Sequence, residues 1–457
     1  MKVLLYCDHR WRDLPPLCAV KLHLERLGHR ALIVAAREAR AMIPAFRPDC
    51  VVLNHFWGKS YNDLAITLRE AGIAIVVLST EGAGRPIFHE MDRGDVADFS
   101  LIDRLYTWGR RITAPMIAHG TITPDRVMTS GCPRFDFYRK PFMGAVKSRA
   151  AFAAEYGLAL DRPIITWATQ FPHAAVARDN PQLRNEYCAA MTDFGVDRCF
   201  EAIGVDYTEL PVYHAALRDA SSEIFFRFAR EHPECQFILK PHPNEKRSYY
   251  EERIAGFSGS NVSFCPQDYI WNVLHASDIL LHRHCTTAVE AWLWDKPTIE
   301  LAAIPDDFMA WPEREAGSHV ARTYDDMAGL IGDFLGGREI EAGRKAAREA
   351  YIEEWFGTPD GRRCEDVARD IDTILKARGP SRKAVRRDSL GVGTRDIARV
   401  LAQQALDLPA NVSVWSGLRH RLTSAQDIRD GNPGAQKYIV RSDVASYMGA
   451  MRPLLAA

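Results

Sequence analysis

Short apolar runs alternate along the chain with stretches whose apolar residues recur at helical spacing. Lys2–Tyr6 is the first apolar run, and Leu17–Leu27 has the helical pattern. Arg30–Ala35 and Cys50–Leu53 predict two strands, Tyr61–Ala71 a helix, and Ile73–Leu78 a continuous aliphatic strand. Leu105–Trp108 and Arg126–Thr129 predict two more strands around a helix. Strands apolar on both faces, with helices between them, predict a parallel sheet in an α/β fold.

Gly131, Pro133 and the polar stretch to Lys147 interrupt this pattern, and a second alternation follows. It opens with a helix over Val146–Tyr156. Its expected strands are Ile164–Ala168, Gln236–Lys240, Val262–Phe264, Ile279–Leu281 and Pro297–Leu301, with helices over Ser221–Glu231, Ile270–His275 and Thr287–Trp294. The stretch Phe171–Leu210 is long and irregular, as expected of a functional loop or an insertion. The pattern predicts a domain over residues 1–145, a second over 146–375, and a basic linker with a helical extension over 376–457. Ile397–Leu406 is one helical stretch of that extension. Neither half contains GxGxxG or GxxxxGK[ST].

With 58 basic and 59 acidic residues the net charge is -1, which argues against a nucleic-acid binder that needs a basic excess. No apolar run reaches the ~20 residues of a membrane span. MKVLLYCDHRW reads as a first buried strand rather than a signal peptide. The ten cysteines are scattered without a CxxC pair, as expected of buried free thiols in a reduced cytoplasmic protein without a metal site. Lys376, Arg378, Arg382, Lys383, Arg386 and Arg387 make a basic run. It reads as a solvated linker, or as a contact with an anionic membrane surface or a phosphorylated acceptor.

Ligands of open α/β sheets bind beyond the carboxyl ends of the strands, so candidate chemistry is sought there. Asp8 and His9 follow the first strand, and Glu81 follows Ile73–Leu78 ahead of Gly-Ala-Gly. Glu81 is a candidate general base, with Asp8 and His9 as a second catalytic pair. Gln170 follows Ile164–Ala168. Lys240, His242 and Asn244 end the next strand, and His284, Thr286, Thr287 and Glu290 follow Ile279–Leu281. A lysine and a histidine beside hydroxyls at a helix start suit a diphosphate or a sugar carboxylate, and Glu290 suits ribose hydroxyls. The plain structural alternatives are a Thr286 N-cap and a first-turn Glu290.

GCPRFD (Gly131–Asp136), TQF (Thr169–Phe171), KPHPNE (Lys240–Glu245) and HCTTAVEAWLWDKP (His284–Pro297) stand in the order seen in a bacterial surface carbohydrate biosynthesis family. The chain resembles that family over roughly Met1–Leu375. The family is similar to the GT-B glycosyltransferases, to capsule Kdo transferases and to CDP-glycerol glycerophosphotransferases. STEG (Ser79–Gly82) resembles its Glu-Gly motif, with Ser79-Thr80 where acidic residues are usual.

The resemblance implies a GT-B-like fold of two Rossmann-like parallel-sheet domains facing a cleft, with the helical extension appended. It implies that Lys240, His242, Thr286, Thr287 and Glu290 contact a nucleotide-sugar donor. Gln170, Asn244 and His284 belong to the same strand-end set. Glu81 would stand on the acceptor side. The expected activity is metal-independent transfer of a sugar to a glycan or lipid-linked acceptor, with a CMP-linked Kdo-like donor favoured and no cofactor beyond the donor. The expected place is the cytoplasm, at the inner face of the membrane through 376–387. A glycerol- or ribitol-phosphate transferase, a sugar-nucleotide epimerase and a non-catalytic scaffold of a polysaccharide assembly complex are the rivals.

Overall fold

The computed structural model describes residues 1–82, 97–174, 189, 196–201, 204, 206–243, 245–305, 311–381, 383–407 and 439–456. They form two compact units. One comprises Met1–Ala145 and Trp355–Ala457, the other Val146–Glu354.

The first unit is built on β1 (Lys2–Cys7), β2 (Arg30–Ala35), β3 (Cys50–Leu53), β4 (Ala74–Leu78), β5 (Arg104–Thr107) and β6 (Val127–Thr129). All pair in parallel, in the order β2-β1-β3-β4-β5-β6. The order reverses direction between β1 and β3, so the crevice outside their carboxyl ends is a switch point. Leu4, Tyr6, Val51, Leu53, Ile75 and Val77 share one core face, and every second residue along each strand serves it. The alternate residues Val3, Leu5 and Cys7 are equally buried on the other face, which is why the strands read as unbroken apolar runs.

The helix after β1 runs over Arg10–Arg26 and starts earlier than the apolar spacing suggests, with Pro15 and Pro16 inside it. Its start is held by buried Asp13, whose carboxylate accepts the His9 N–H at 2.9 Å. The extra turns bring Arg12 and Asp13 to the strand ends.

The second unit contains β7 (Ile164–Ala168), β8 (Gln236–Lys240), β9 (Val262–Phe264), β10 (Ile279–His282), β11 (Thr298–Leu301) and β12 (His319–Ala321). Its parallel order, β12-β11-β10-β7-β8-β9, is a doubly wound, Rossmann-like order with the switch point between β7 and β10. Ile165, Trp167, Phe237, Leu239, Ile279 and Leu281 pack on one face, and Ile164 and Ile238 on the other. The short β12 lacks an apolar run and escapes a periodicity reading.

The Leu210–Glu231 helix also starts earlier than expected. Pro211 sits in its first turn, where its missing N–H costs nothing, and Leu210, His214, Leu217 and Ser221 line one buried face.

The tail differs from the sequence expectation. The Arg363–Arg378 helix, assigned there to the second domain, belongs to the first unit. Buried Asp136 of the GCPRFD motif accepts the Arg363 and Cys364 N–H groups at 3.0 and 2.8 Å, capping that helix from a distant segment. Ser381 is tied to Asp49 at 2.9 Å and to the Ala71 carbonyl at 3.1 Å. The Thr394–Ala405 helix then packs on the Ala36–Phe46 helix, where Gln404 donates to buried Glu38 at 2.9 Å. Within the basic run, Lys376 pairs with Asp372, Arg378 with Asp103, and Arg386 and Arg387 lie beside Asp388. Arg382 lies outside the described residues. Cys7, Cys18, Cys50, Cys132, Cys235, Cys265, Cys285 and Cys364 are buried free thiols, and among the described residues no helix is long and apolar enough to cross a membrane.

Candidate functional site

In the first unit Arg12 gathers the strand-end acids. Its guanidinium pairs with Glu81, reaches Asp8 at 3.3 Å and Thr80 at 3.3 Å, and binds Asp13 at 2.6 and 3.1 Å. Burial lowers the Arg12 pKa, but Asp13, Glu81 and Asp8 more than offset this, and the net direction is upward. The expected catalytic residues Asp8 and Glu81 are thus brought together, by an arginine that the sequence reading passed over. The Glu81 side chain is 80% exposed. His9, in contrast, is buried behind the start of the Arg10–Arg26 helix.

Arg12, Ser79 and Thr80 line a small open recess with Trp108, Cys132 and Arg134. Trp108 donates to the Ser79 carbonyl at 3.0 Å and stacks on Phe356, 5.5 Å between ring centres. Gly82 of the STEG motif must be glycine here: a Cβ would come within 2.6 Å of the Trp108 ring.

In the second unit three adjacent strands end level with one another. Ala168 of β7 is in register with Lys240 of β8, and Trp167 with Leu281 of β10. Lys240 is 7% exposed; its carbonyl accepts the Thr169 N–H at 3.0 Å, and among the described residues its ammonium makes no hydrogen bond or ion pair. Burial lowers its ammonium below the usual lysine range, and Cys265 and Asp268 offset part of this.

Glu245 fastens the loops after β7 and β8. It accepts from Thr169 Oγ1 at 2.8 Å, from the Phe171 N–H at 2.9 Å, from the His242 N–H at 3.3 Å, and from the Tyr250 hydroxyl. Burial raises its pKa, and these four bonds oppose the rise. Glu245 stands in the KPHPNE motif, and its role as a bracket depends on partners far away in sequence. Asn244 lies outside the described residues.

At the switch point Cys285 Sγ lies 3.8 Å from Gln170 Oε1 and 2.9 Å from Thr287 Oγ1. Thr286 occupies the N-cap position of the Thr287–Trp292 helix with helical backbone angles and no side-chain cap bond, and Glu290 lies in the first turn, so the plain structural alternative holds in position though not in the capping bond. Glu290 is buried at 3% exposure within the same short helix, Thr287–Trp292.

His284 sits in left-handed backbone space at φ 47°, a strained position for a non-glycine residue. Its N–H donates to Glu300 at 3.0 Å, and its Nδ1 lies 3.3 Å from Arg314 Nη2. Glu300 is wholly buried on β11 and faces Arg283 at 3.0 Å. Burial raises its pKa, yet His282, Arg314, Arg283 and His284 outweigh that and bring it to about 2. His284, Glu300 and Glu315 bring ligand atoms within 4.8 Å of one another. Arg283 and Arg314 already oppose that acidic charge, which is the chemistry of an ion-pair network rather than of a cation site. A charged residue inside the apolar strand Thr298–Leu301 was the available sequence signal for Glu300.

No family model matches the chain, and no curated protein matches it in sequence. Solved structures do match in fold. MnaA from S. aureus, solved with UDP, has a TM-score of 0.50 at 11% identity, covering 82% of this chain and 97% of that one. UDP-GlcNAc 2-epimerase from Methanocaldococcus jannaschii, solved with UDP-GlcNAc and UDP, has a TM-score of 0.50 at 12% identity, covering 82% and 100%. The wall teichoic acid polymerase TagF has a TM-score of 0.51 at 10% identity, covering 82% and 89%. At these identities the likeness is one of fold. The chain has a GT-B-like α/β fold of two Rossmann-like units.

Proposed function

We propose that this protein is a GT-B-type enzyme that moves a sugar from a nucleotide-activated donor to a hydroxyl of a surface-polysaccharide acceptor, glycan or lipid-linked. The observation that carries the reading is Lys240: a buried lysine whose ammonium makes no ion pair among the described residues, at a strand end next to the β7–β10 switch point. An ammonium held there is poised for an anion, and a donor diphosphate is the anion such a sheet position suits.

Lys240, with His242, His284 and the hydroxyls of Thr286 and Thr287, stabilises the departing nucleotide. Gln170, Asn244 and Glu290 complete the donor side. Glu81, steered by Arg12 beside Asp8, takes the acceptor-side role, as a base for the attacking hydroxyl or as a counter-charge to the sugar. A CMP-linked acidic sugar of the Kdo kind is the favoured donor, because a cationic site suits a carboxylate. The basic run 376–387 supplies peripheral contact with an anionic membrane surface on the cytoplasmic side. The fold likeness to MnaA and to a UDP-GlcNAc 2-epimerase favours sugar-nucleotide epimerisation as the second reading.

The test is a thermal-shift panel of CMP, CDP, UDP, GDP and ADP. A ligand that binds only the folded state raises its melting temperature. One nucleotide should stabilise the protein, and Lys240→Met should lose most of that shift. With the matching sugar nucleotide, consumption that requires an acceptor and fails in Glu81→Gln supports transfer. Conversion without an acceptor supports the epimerase. No shift with any nucleotide overturns both.

A further inference from the structure

We infer that Arg218, His214 and His173 form a second anion subsite, on the β7–β8 flank of the second unit, which takes a phosphoryl group carried by the substrate in addition to its nucleotide phosphates. The inference rests on the nucleotide reading above for its substrate, and on the following geometry for its existence.

His214 and Arg218 stand four residues apart on the Leu210–Glu231 helix and therefore share a face. They are 4% and 6% exposed. This helix leads into β8 and runs back along it, so its first turns lie at the carboxyl end of that strand. His173 comes from the segment after β7, and its ring centre lies 4.9 Å from that of His214. Phe171, two residues earlier, packs edge-on against His214 at 6.3 Å. Two histidines thus meet beside the loops that Glu245 fastens, with Arg218 one turn further along the same helix face.

Arg218 is the group that asks for a ligand. Its guanidinium lies 3.6 Å over the Tyr249 ring, with Nε 3.5 Å from Asp219. That carboxylate already accepts the Tyr249 hydroxyl at 2.7 Å. Buried Nε, 3.5 Å from Asp219, makes no hydrogen bond. A guanidinium so placed retains a fork of donors that matches phosphate geometry. Its charge also bears on Tyr250, the tyrosine bound to Glu245, so the subsite adjoins the bracket at the strand ends. Burial lowers His173 to about 4, so Arg218 supplies the charge, and a bound phosphate would draw a proton onto the imidazole. A site of this kind selects a phosphorylated acceptor or a polyol-phosphate unit over a neutral sugar.

Isothermal titration of the full chain with inorganic phosphate tests the inference. Lys240→Met removes the nucleotide-side cation, so phosphate bound by that variant reports the second subsite. Adding Arg218→Met should weaken this binding at least tenfold, and adding Arg218→Lys should weaken it less. Absence of phosphate binding in Lys240→Met, or an unchanged Kd on adding Arg218→Met, would overturn the subsite. Should the methionine variant not fold, an unchanged Kd in Arg218→Lys would do so. The nucleotide panel is read separately: its failure removes the donor reading and leaves the phosphate result standing.

Discussion

Single buried charges in this protein carry effects that their neighbours in sequence do not announce. Glu38 is 2% exposed, and its Oε1 has no hydrogen-bond partner among the described residues. Burial raises its pKa to about 7, against a lowering by Gln404 and Arg399. The folded state therefore holds the proton more tightly than the unfolded chain. Stability from this group is complete below the ordinary carboxylate pKa, declines as pH rises towards 7, and stays lost above it. Glu38→Gln should remove that decline. We expect the variant to match the parent near pH 4.5 and to exceed it by about 3 kcal/mol at pH 8. Urea midpoints at the two pH values measure the difference, and equal midpoints at pH 8 would contradict it.

At the scale of elements, the GCPRFD motif acts as a clasp. Asp136 satisfies two N–H groups at the start of the Arg363–Arg378 helix, and helix starts are short of acceptors. Burial pushes Asp136 up to about 6, opposed by those same bonds from Cys364 and Arg363. Asp136→Ala leaves the buried Cys364 N–H and the half-buried Arg363 N–H without this acceptor, and should destabilise the first unit by about 2–3 kcal/mol. Hydrogen exchange should quicken first at the start of that helix. Unchanged protection there would show that the clasp is dispensable. In the sequence this motif stands only as part of a resemblance. Its physical work needed the tail to fold back, and nothing in the local pattern of Gly131–Asp136 shows that.

For the whole molecule, the tail is part of the first unit rather than an appendage. Leu390 and Val400 belong to the same core as Leu4 and Val51, and Arg10 pairs with Asp443 at 2.9 Å. A chain ended at Leu375, the domain limit that the sequence suggests, would uncover the Ala36–Phe46 helix. We expect it to lose about 3–5 kcal/mol in the first unit through exposed apolar surface. A melting transition identical to that of the full chain would show the extension to be separate.

The sequence by itself determined the alternation of strands and helices, and several strands to the residue: Arg30–Ala35, Cys50–Leu53, Ile164–Ala168 and Gln236–Lys240. It could do so because strands buried on both faces of a parallel sheet must be apolar throughout, a local property of the chain. The same reasoning located the strand ends where Asp8, Glu81, Lys240 and Thr287 stand. Only the tertiary structure decided which of these residues meet. Arg12 joins Asp8 to Glu81 because the helix begins before its prolines. Glu245 fastens two loops because β7 and β8 are neighbours, and β10 lies beside β7 although two strands separate them in the chain. Strand order and the pairing of buried charges depend on contacts between distant segments, and no local periodicity encodes them.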